Sequence, residues 1–419
     1  MASVRIDRNV RLGDSATGVQ TSTDNEPTVA SFFDTVMVTG NMFASHSSDN
    51  GATFTFIDPF VAFPPAAGGF CCDQIVIHER SRNLWLWVLQ YRTDVNGSNI
   101  FRLAVSTSGG APGSFSFYDF APGEVDPAWA TGVMFDRPDM ASTDNHLYVT
   151  FNAFDTTVDP NQFLAMVVFK IPLAQLAALQ PLTWVFHRVD APDGRAVSLA
   201  RGAGDEMFYA GNQLSGGDVR IFRWPDLPLN ASITQFDVSP ATWVGGVRPS
   251  YSAPGPGGEW LAKLDARVTT GWVSGNQVGF LWTANRDAVR PQPYIKAIVV
   301  DRTTQAIVSQ PDIHNPSVAF AYPATCPNVN GTVAIALYQG GGATDPVHVV
   351  GFLGAGGGWV LQGTIASTNA PAGGIWGDYL SCETHDPDGV DWVASGFTLQ
   401  GGVGGQFVDP QYVRFGVGP

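Results

Sequence analysis

The chain has 419 residues, of which 12% are aromatic, only 14% are charged, 47 are glycine and 29 are proline. This profile speaks against a helical protein and for many short strands joined by tight turns. A formal net charge of −15 makes duplex nucleic acid and anionic membrane surfaces poor partners, and no apolar run reaches the ~18 residues of a membrane span.

In chain order, one unit recurs. Its opening segments are NEPTVASFF at Pro27, CCDQIVIHE at Asp73, DRPDMAS at Pro138, GRAVSLA at Arg195, LDARVTTGWV at Arg267, HNPSVAFAY at Pro316 and WGDYLSCE at Asp378. Each is followed by a second strand: TVMVTGN, LWLWVLQY, HLYVTFN, EMFYAGNQ, VGFLWTAN, TVAIALYQ and WVASGFTLQ. Alternation and turn residues support strands throughout. The one helical hint is PLAQLAALQ, with Pro172 in its first turn. Radial repetition of four-stranded units predicts an all-β fold, a seven-bladed β-propeller with four-stranded antiparallel blades around a central channel. One domain spans 1–419, closed by either VRIDRNV or the final YVRFGV.

Ser47-Ser48-Asp49-Asn50-Gly51-Ala52-Thr53-Phe54 follows the pattern Ser-x-Asp-x-Gly-x-Thr-Trp with Phe in the last place, and Ser106–Phe115 echoes it weakly. On this motif and the repeated units, the chain resembles the sialidase-like, Asp-box propeller superfamily over nearly its whole length. The resemblance implies a structural role for Asp49, which caps a turn. It leaves activity open, since that fold carries hydrolases, lyases and lectins.

In a propeller the first strands begin at one channel mouth. This draws together Glu26, Asp73, Gln74, Arg137, Asp139, Arg195, Asp265, Arg267, Asn315, Asp378 and Tyr379. Second strands end in amides, from Asn41 to Gln400, which either tie neighbouring blades or line a sugar site. Asp73 and Asp378 are candidates for acid and base, and Tyr379 for nucleophile or base. Arg137, Arg195 and Arg267 suit a substrate carboxylate, with Gln74 and Asp139 beside them. Arginines, acid and tyrosine together resemble a sialidase site. The departures are the blade count, the absence of Arg-Ile-Pro, and the lack of a glutamate placed to polarise Tyr379. The same charges also suit mutual neutralisation between blades.

Cys71 and Cys72 are adjacent. They form a vicinal disulfide, stay free, or pair with Cys326 or Cys382. A vicinal bridge would present an apolar knuckle at the mouth, with Phe70 and Trp376 offering ring faces to a ligand. No metal or cofactor is expected. The reading is a carbohydrate-active enzyme, a glycosidase or polysaccharide lyase on an acidic glycan. The alternative is a non-catalytic binding propeller. An oxidising, secreted or extracytoplasmic setting suits the cysteine pair.

Overall fold

A computed structural model describes residues 2–419 apart from 112, 191–195, 213–216, 247–249, 372–373 and 402–406. Strand β1 (Ser3–Arg11) is followed by runs of hairpin-linked strands. The first run is β2 (Thr28–Phe32), β3 (Thr35–Gly40), β4 (Phe43–Ser47) and β5 (Thr55–Ile57). Next come β6 (Phe70–Glu79), β7 (Leu84–Tyr91), β8 (Phe101–Ser106) and β9 (Ser116–Phe120), then β10 (Val133–Ser142), β11 (His146–Asp155), β12 (Gln162–Pro172) and β13 (Val185–Asp190). They continue with β14 (Ser198–Arg201), β15 (Glu206–Asn212), β16 (Val219–Pro225) and β17 (Thr234–Val238). After these come β18 (Val268–Ser274), β19 (Gln277–Ala284), β20 (Tyr294–Asp301) and β21 (Ile307–Ser309). The last are β22 (Ala319–Pro327), β23 (Val333–Gly341), β24 (Thr344–Leu353), β25 (Trp359–Ala366), β26 (Ser381–Asp386), β27 (Trp392–Gln400) and β28 (Phe407–Gly418). The helical hint after Pro172 is a single short helix, Leu173–Ala177.

Each run forms antiparallel ladders. Three runs are four-stranded sheets by themselves, and the others join into two eight-stranded sheets. The joins are parallel and two residues long: Ser31 and Phe32 beside His385 and Asp386, and Ala200 and Arg201 beside Gly271 and Trp272. First strands touch in a closed circuit, β2 to β6, β10, β14, β18, β22, β26 and back to β2. Sheets arranged radially around such a circuit make a β-propeller. The two candidate closing segments pair with each other, Ser3 opposite Gly418 through Arg11 opposite Gln411. The N-terminal strand thus becomes the outer partner of the C-terminal one, and the ends of the chain are stapled together.

Sheets packed on both faces need strands that are apolar throughout, which is why β7 (LWLWVLQY) is buried at every position. Each fully buried Val, Leu or Phe contributes ~1.5–3 kcal/mol. Between β4 and β5, Asp49 accepts from the backbone N–H of Ala52 (3.0 Å) and Thr53 (2.9 Å) and from the Ser47 hydroxyl (2.8 Å). These bonds make a tight turn far from the channel in sequence and role.

Candidate active site

A cavity of about 40 Å³ on the axis is lined by every first strand, among them Thr28, Ile75, Asp139, Ser198, Thr270, Thr325 and Ser381. Near its mouth, charged residues stand on irregular stretches of β6 and β10. On β6, Phe70 faces Tyr91 and Gln74 faces Leu89, so Cys71, Cys72 and Asp73 stand against Gln90 alone. On β10, Asp136 faces Asn152 and Asp139 faces Thr150, leaving Arg137 and Pro138 against Phe151. Extra residues bend a strand and re-aim its side chains. Arg137 (φ 55°) and Glu26 (φ 49°) also hold left-handed backbone, which costs a non-glycine residue ~1–3 kcal/mol and persists only where neighbours enforce it.

Glu26 is the hub. It is 3% exposed and accepts from Asn41 Nδ2 (3.1 Å) and from the Asp378 backbone N–H (2.7 Å). The Asp73 carboxyl donates to it. Burial, then the Asp378 charge, pushes Glu26 up to about 7 against the pull of Lys263, whose Nζ lies 2.8 Å from Asp24. Burial, then the charges of Glu26 and Asp136, pushes Asp73 well above the usual carboxylate range. Asp378 lies 3.9 Å from Arg137 Nε and 3.8 Å from an Arg267 terminal nitrogen. The Tyr379 hydroxyl is buried with no hydrogen-bond partner among the described residues. Burial, then Asp73, Glu26 and Asp378, raises it well above the ordinary phenol value, opposed by Arg137. The mouth therefore holds a proton between two touching carboxyls, next to a third carboxylate and a neutral phenol. An acid that stays protonated toward neutral pH is what general-acid chemistry requires.

Deeper in the channel, Arg201 donates to Asp139 (2.8 Å) and Glu383 (3.2 Å). Burial raises Glu383 to about 7, with Arg201 opposing. Beyond this ion group the axis opens into a second cavity of about 660 Å³.

Asp73, Asp378, Tyr379, Arg137 and Arg267 come together as the sequence reading expects. Four expectations need correction. Gln74 is not at the mouth: it is fully buried, donating to the carbonyls of Gly40 (2.7 Å) and Phe43 (2.9 Å) and accepting from Trp87 Nε1 (3.0 Å). Trp376 offers no free face, since it is 1% exposed and stacked 4.6 Å from Phe397, and Phe70 is equally covered. Asp139 is committed to Arg201 and to the Leu199 backbone N–H (2.9 Å). A glutamate does stand near Tyr379, namely Glu26. Arg195 lies outside the described residues. Asn315 caps its own exposed loop through Ser317 (2.8 Å). Cys71 and Cys72 are joined to each other, half-buried within the β6 irregularity, while Cys326 and Cys382 are buried free thiols.

Sequence reasoning named Glu26 but gave it no role, and missed Lys263, Arg201 and Glu383. The signal for Glu26 was its place just before Pro27, at the entry of the first unit as Asp73 is at the entry of the second. For Arg201 it was a charge closing the short first strand Ser-Leu-Ala-Arg, while Glu383 sits in a mostly polar first strand, Ser-Cys-Glu-Thr-His-Asp, that gave no such contrast.

No protein-family model matches the chain, and no curated protein matches it. Among solved structures, it is similar to an α-L-arabinofuranosidase from Fusarium graminearum solved with an iminosugar inhibitor (12% identity, 98% of both chains, TM-score 0.46). It is also similar to a leech intramolecular trans-sialidase (8% identity, 79% of this chain and 67% of that one, TM-score 0.45). A protein of unknown function from Dyadobacter fermentans shows 12% identity over 98% of this chain and 99% of that one, with a TM-score of 0.46. The architecture itself rests on the strand pairing of this chain.

Proposed function

We propose that this chain is a glycoside hydrolase acting at the channel mouth of a single seven-bladed β-propeller. The circuit of seven first strands supports the blade count, six opening a four-strand run and β26 opening a three-strand run completed by β1. One observation carries the activity: a buried, proton-sharing Glu26–Asp73 pair beside Asp378, Arg137, Arg267 and an unpartnered Tyr379 hydroxyl. Two carboxyls in direct contact are closer than the ~5 Å or more that separates catalytic carboxyls flanking a glycosidic bond. Glu26 and Asp73 therefore act as one acid, with Asp73 delivering its proton to the leaving oxygen. Asp378 is the opposing carboxylate, activating water or attacking the sugar. Tyr379, held neutral, donates a hydrogen bond to a sugar oxygen.

The charge balance favours a neutral glycan over the acidic one inferred from sequence. Among the described residues, the linked groups comprise six carboxyls (Asp24, Glu26, Asp73, Asp136, Asp265, Asp378) and three cations (Arg137, Lys263, Arg267). The fork of Arg267 is already engaged by Asp265 (Nε to Oδ1 2.5 Å, with a second bond to Oδ2). A substrate carboxylate would enter a site with acid in excess. The Cys71–Cys72 bridge supports an extracytoplasmic, oxidising setting, and its half-exposed surface suits the apolar face of a sugar ring.

The test is mass spectrometry of products from neutral, uronic-acid and sialylated glycans. Neutral products heavier by one water per cleavage are expected, with Asp73→Asn reducing the rate ~10²–10⁴-fold. Unsaturated products from uronic substrates, or binding of glycans without any cleavage, would sink the hydrolase reading in favour of a lyase or a lectin.

A further inference from the structure

Irregular strands elsewhere in the ring show what is unusual about β6. The β10 irregularity sets Arg137 and Pro138 against one residue, and that of β22 sets Tyr322 and Pro323 against Leu337. Whereas the one-residue irregularity of β18, at Thr269, has no proline, both of these two-residue irregularities contain one, which fixes φ and stiffens an unpaired segment. The β6 irregularity is one residue longer, Cys71-Cys72-Asp73 against Gln90, and has no proline. Its place is taken by the bond between Cys71 and Cys72. Past the bridge, Gln74 is anchored on the neighbouring run through Gly40 and Phe43, so Asp73 is held between a covalent ring and a fixed amide.

We propose that the Cys71–Cys72 disulfide is the positioning element of Asp73, and that reducing it releases Asp73 from Glu26 and switches the site off reversibly. Reduction by a dithiol balances simply. The reagent loses two electrons and two hydrogens and closes into its own disulfide, while Cys71 and Cys72 each become a thiol. The freed segment, three residues against one, then has no constraint in place of proline. Cys326 and Cys382 are already thiols and take no part. Misplacing a reacting group by about 1 Å costs on the order of 10²-fold in rate.

The experiment uses the intact chain, treated with dithiothreitol, with thiols counted under denaturing conditions. The count should rise from two to four. The infrared band of a buried protonated carboxyl, assigned by its absence in Asp73→Asn, should be lost on reduction and return with oxidised glutathione. Where the reagent does not reach the bond, the double variant Cys71→Ser/Cys72→Ser supplies the same comparison. Hydrolysis, with its pH profile, should fall on the order of 10²-fold in parallel. Only this activity arm rests on the glycosidase reading, since the infrared arm needs no substrate. A band that persists after two new thiols are counted, or in the double-serine variant, would overturn the proposal even if the chain hydrolyses glycans.

Discussion

Replacing Glu26 by glutamine should make the protein more stable, and by an amount that depends on pH. Glu26 titrates near pH 7 when folded, against an ordinary value of 4.5. The folded protein therefore holds the proton more tightly than the unfolded chain does. Between pH 4.5 and about 7 unfolding releases a proton, so stability falls as pH rises through that window and stays lower above it. A rise of about 2.5 corresponds to on the order of 3 kcal/mol, which belongs to the Glu26–Asp73 pair as a unit because the two touching carboxyls titrate together. Glutamine carries no charge to desolvate, and its carbonyl can still accept from the Asp378 N–H. Urea unfolding of parent and Glu26→Gln at pH 4, 6 and 8 should show near-equal stability at pH 4. At pH 8 the variant should be ahead by about 3 kcal/mol. Glu383→Gln, deeper in the channel and also raised to about 7, serves as an independent comparison at a second site. Parallel pH curves for parent and Glu26→Gln would refute the idea that this site is held at a cost in stability for the sake of its proton.

Three further outcomes follow from the structure. Gln74→Ala removes three buried hydrogen bonds and strands the Trp87 N–H and two carbonyls, so it should cost ~2–5 kcal/mol in urea unfolding. Asp49→Ala deletes the acceptor of one turn between β4 and β5 and should lower the urea midpoint modestly, leaving hydrolysis of a neutral glycan unchanged. Removing residues 1–11 unpairs β28 and exposes a long strand edge. The truncated chain should melt earlier in calorimetry and associate in light scattering, and an unchanged melting temperature would contradict closure by β1.

The strand pattern was readable in the chain because it is local. Alternation in TVMVTGN or LWLWVLQY, and turn residues between such runs, depend on neighbours a few positions away. So does the repetition of Pro27, Asp73, Pro138, Arg195, Arg267, Pro316 and Asp378 at the entries of the seven units. That repetition also determined which side chains share one channel mouth, since a radial repeat brings equivalent positions together whatever the spacing. The tertiary structure decided which of them meet. Gln74 and Asp73 are adjacent in sequence, yet the extra residues of β6 send one to the mouth and the other into the blade interface. Glu26 became the hub only because Asp73, Asp378 and Lys263, distant along the chain, converge on it. Trp376 precedes Asp378 by two residues but stacks on Phe397 instead of facing a ligand. Closure by β1 against β28 and the raised proton affinity of the Glu26–Asp73 pair share one cause. Desolvation and charge coupling are set by what lies within a few ångströms in space, and chain order does not record it.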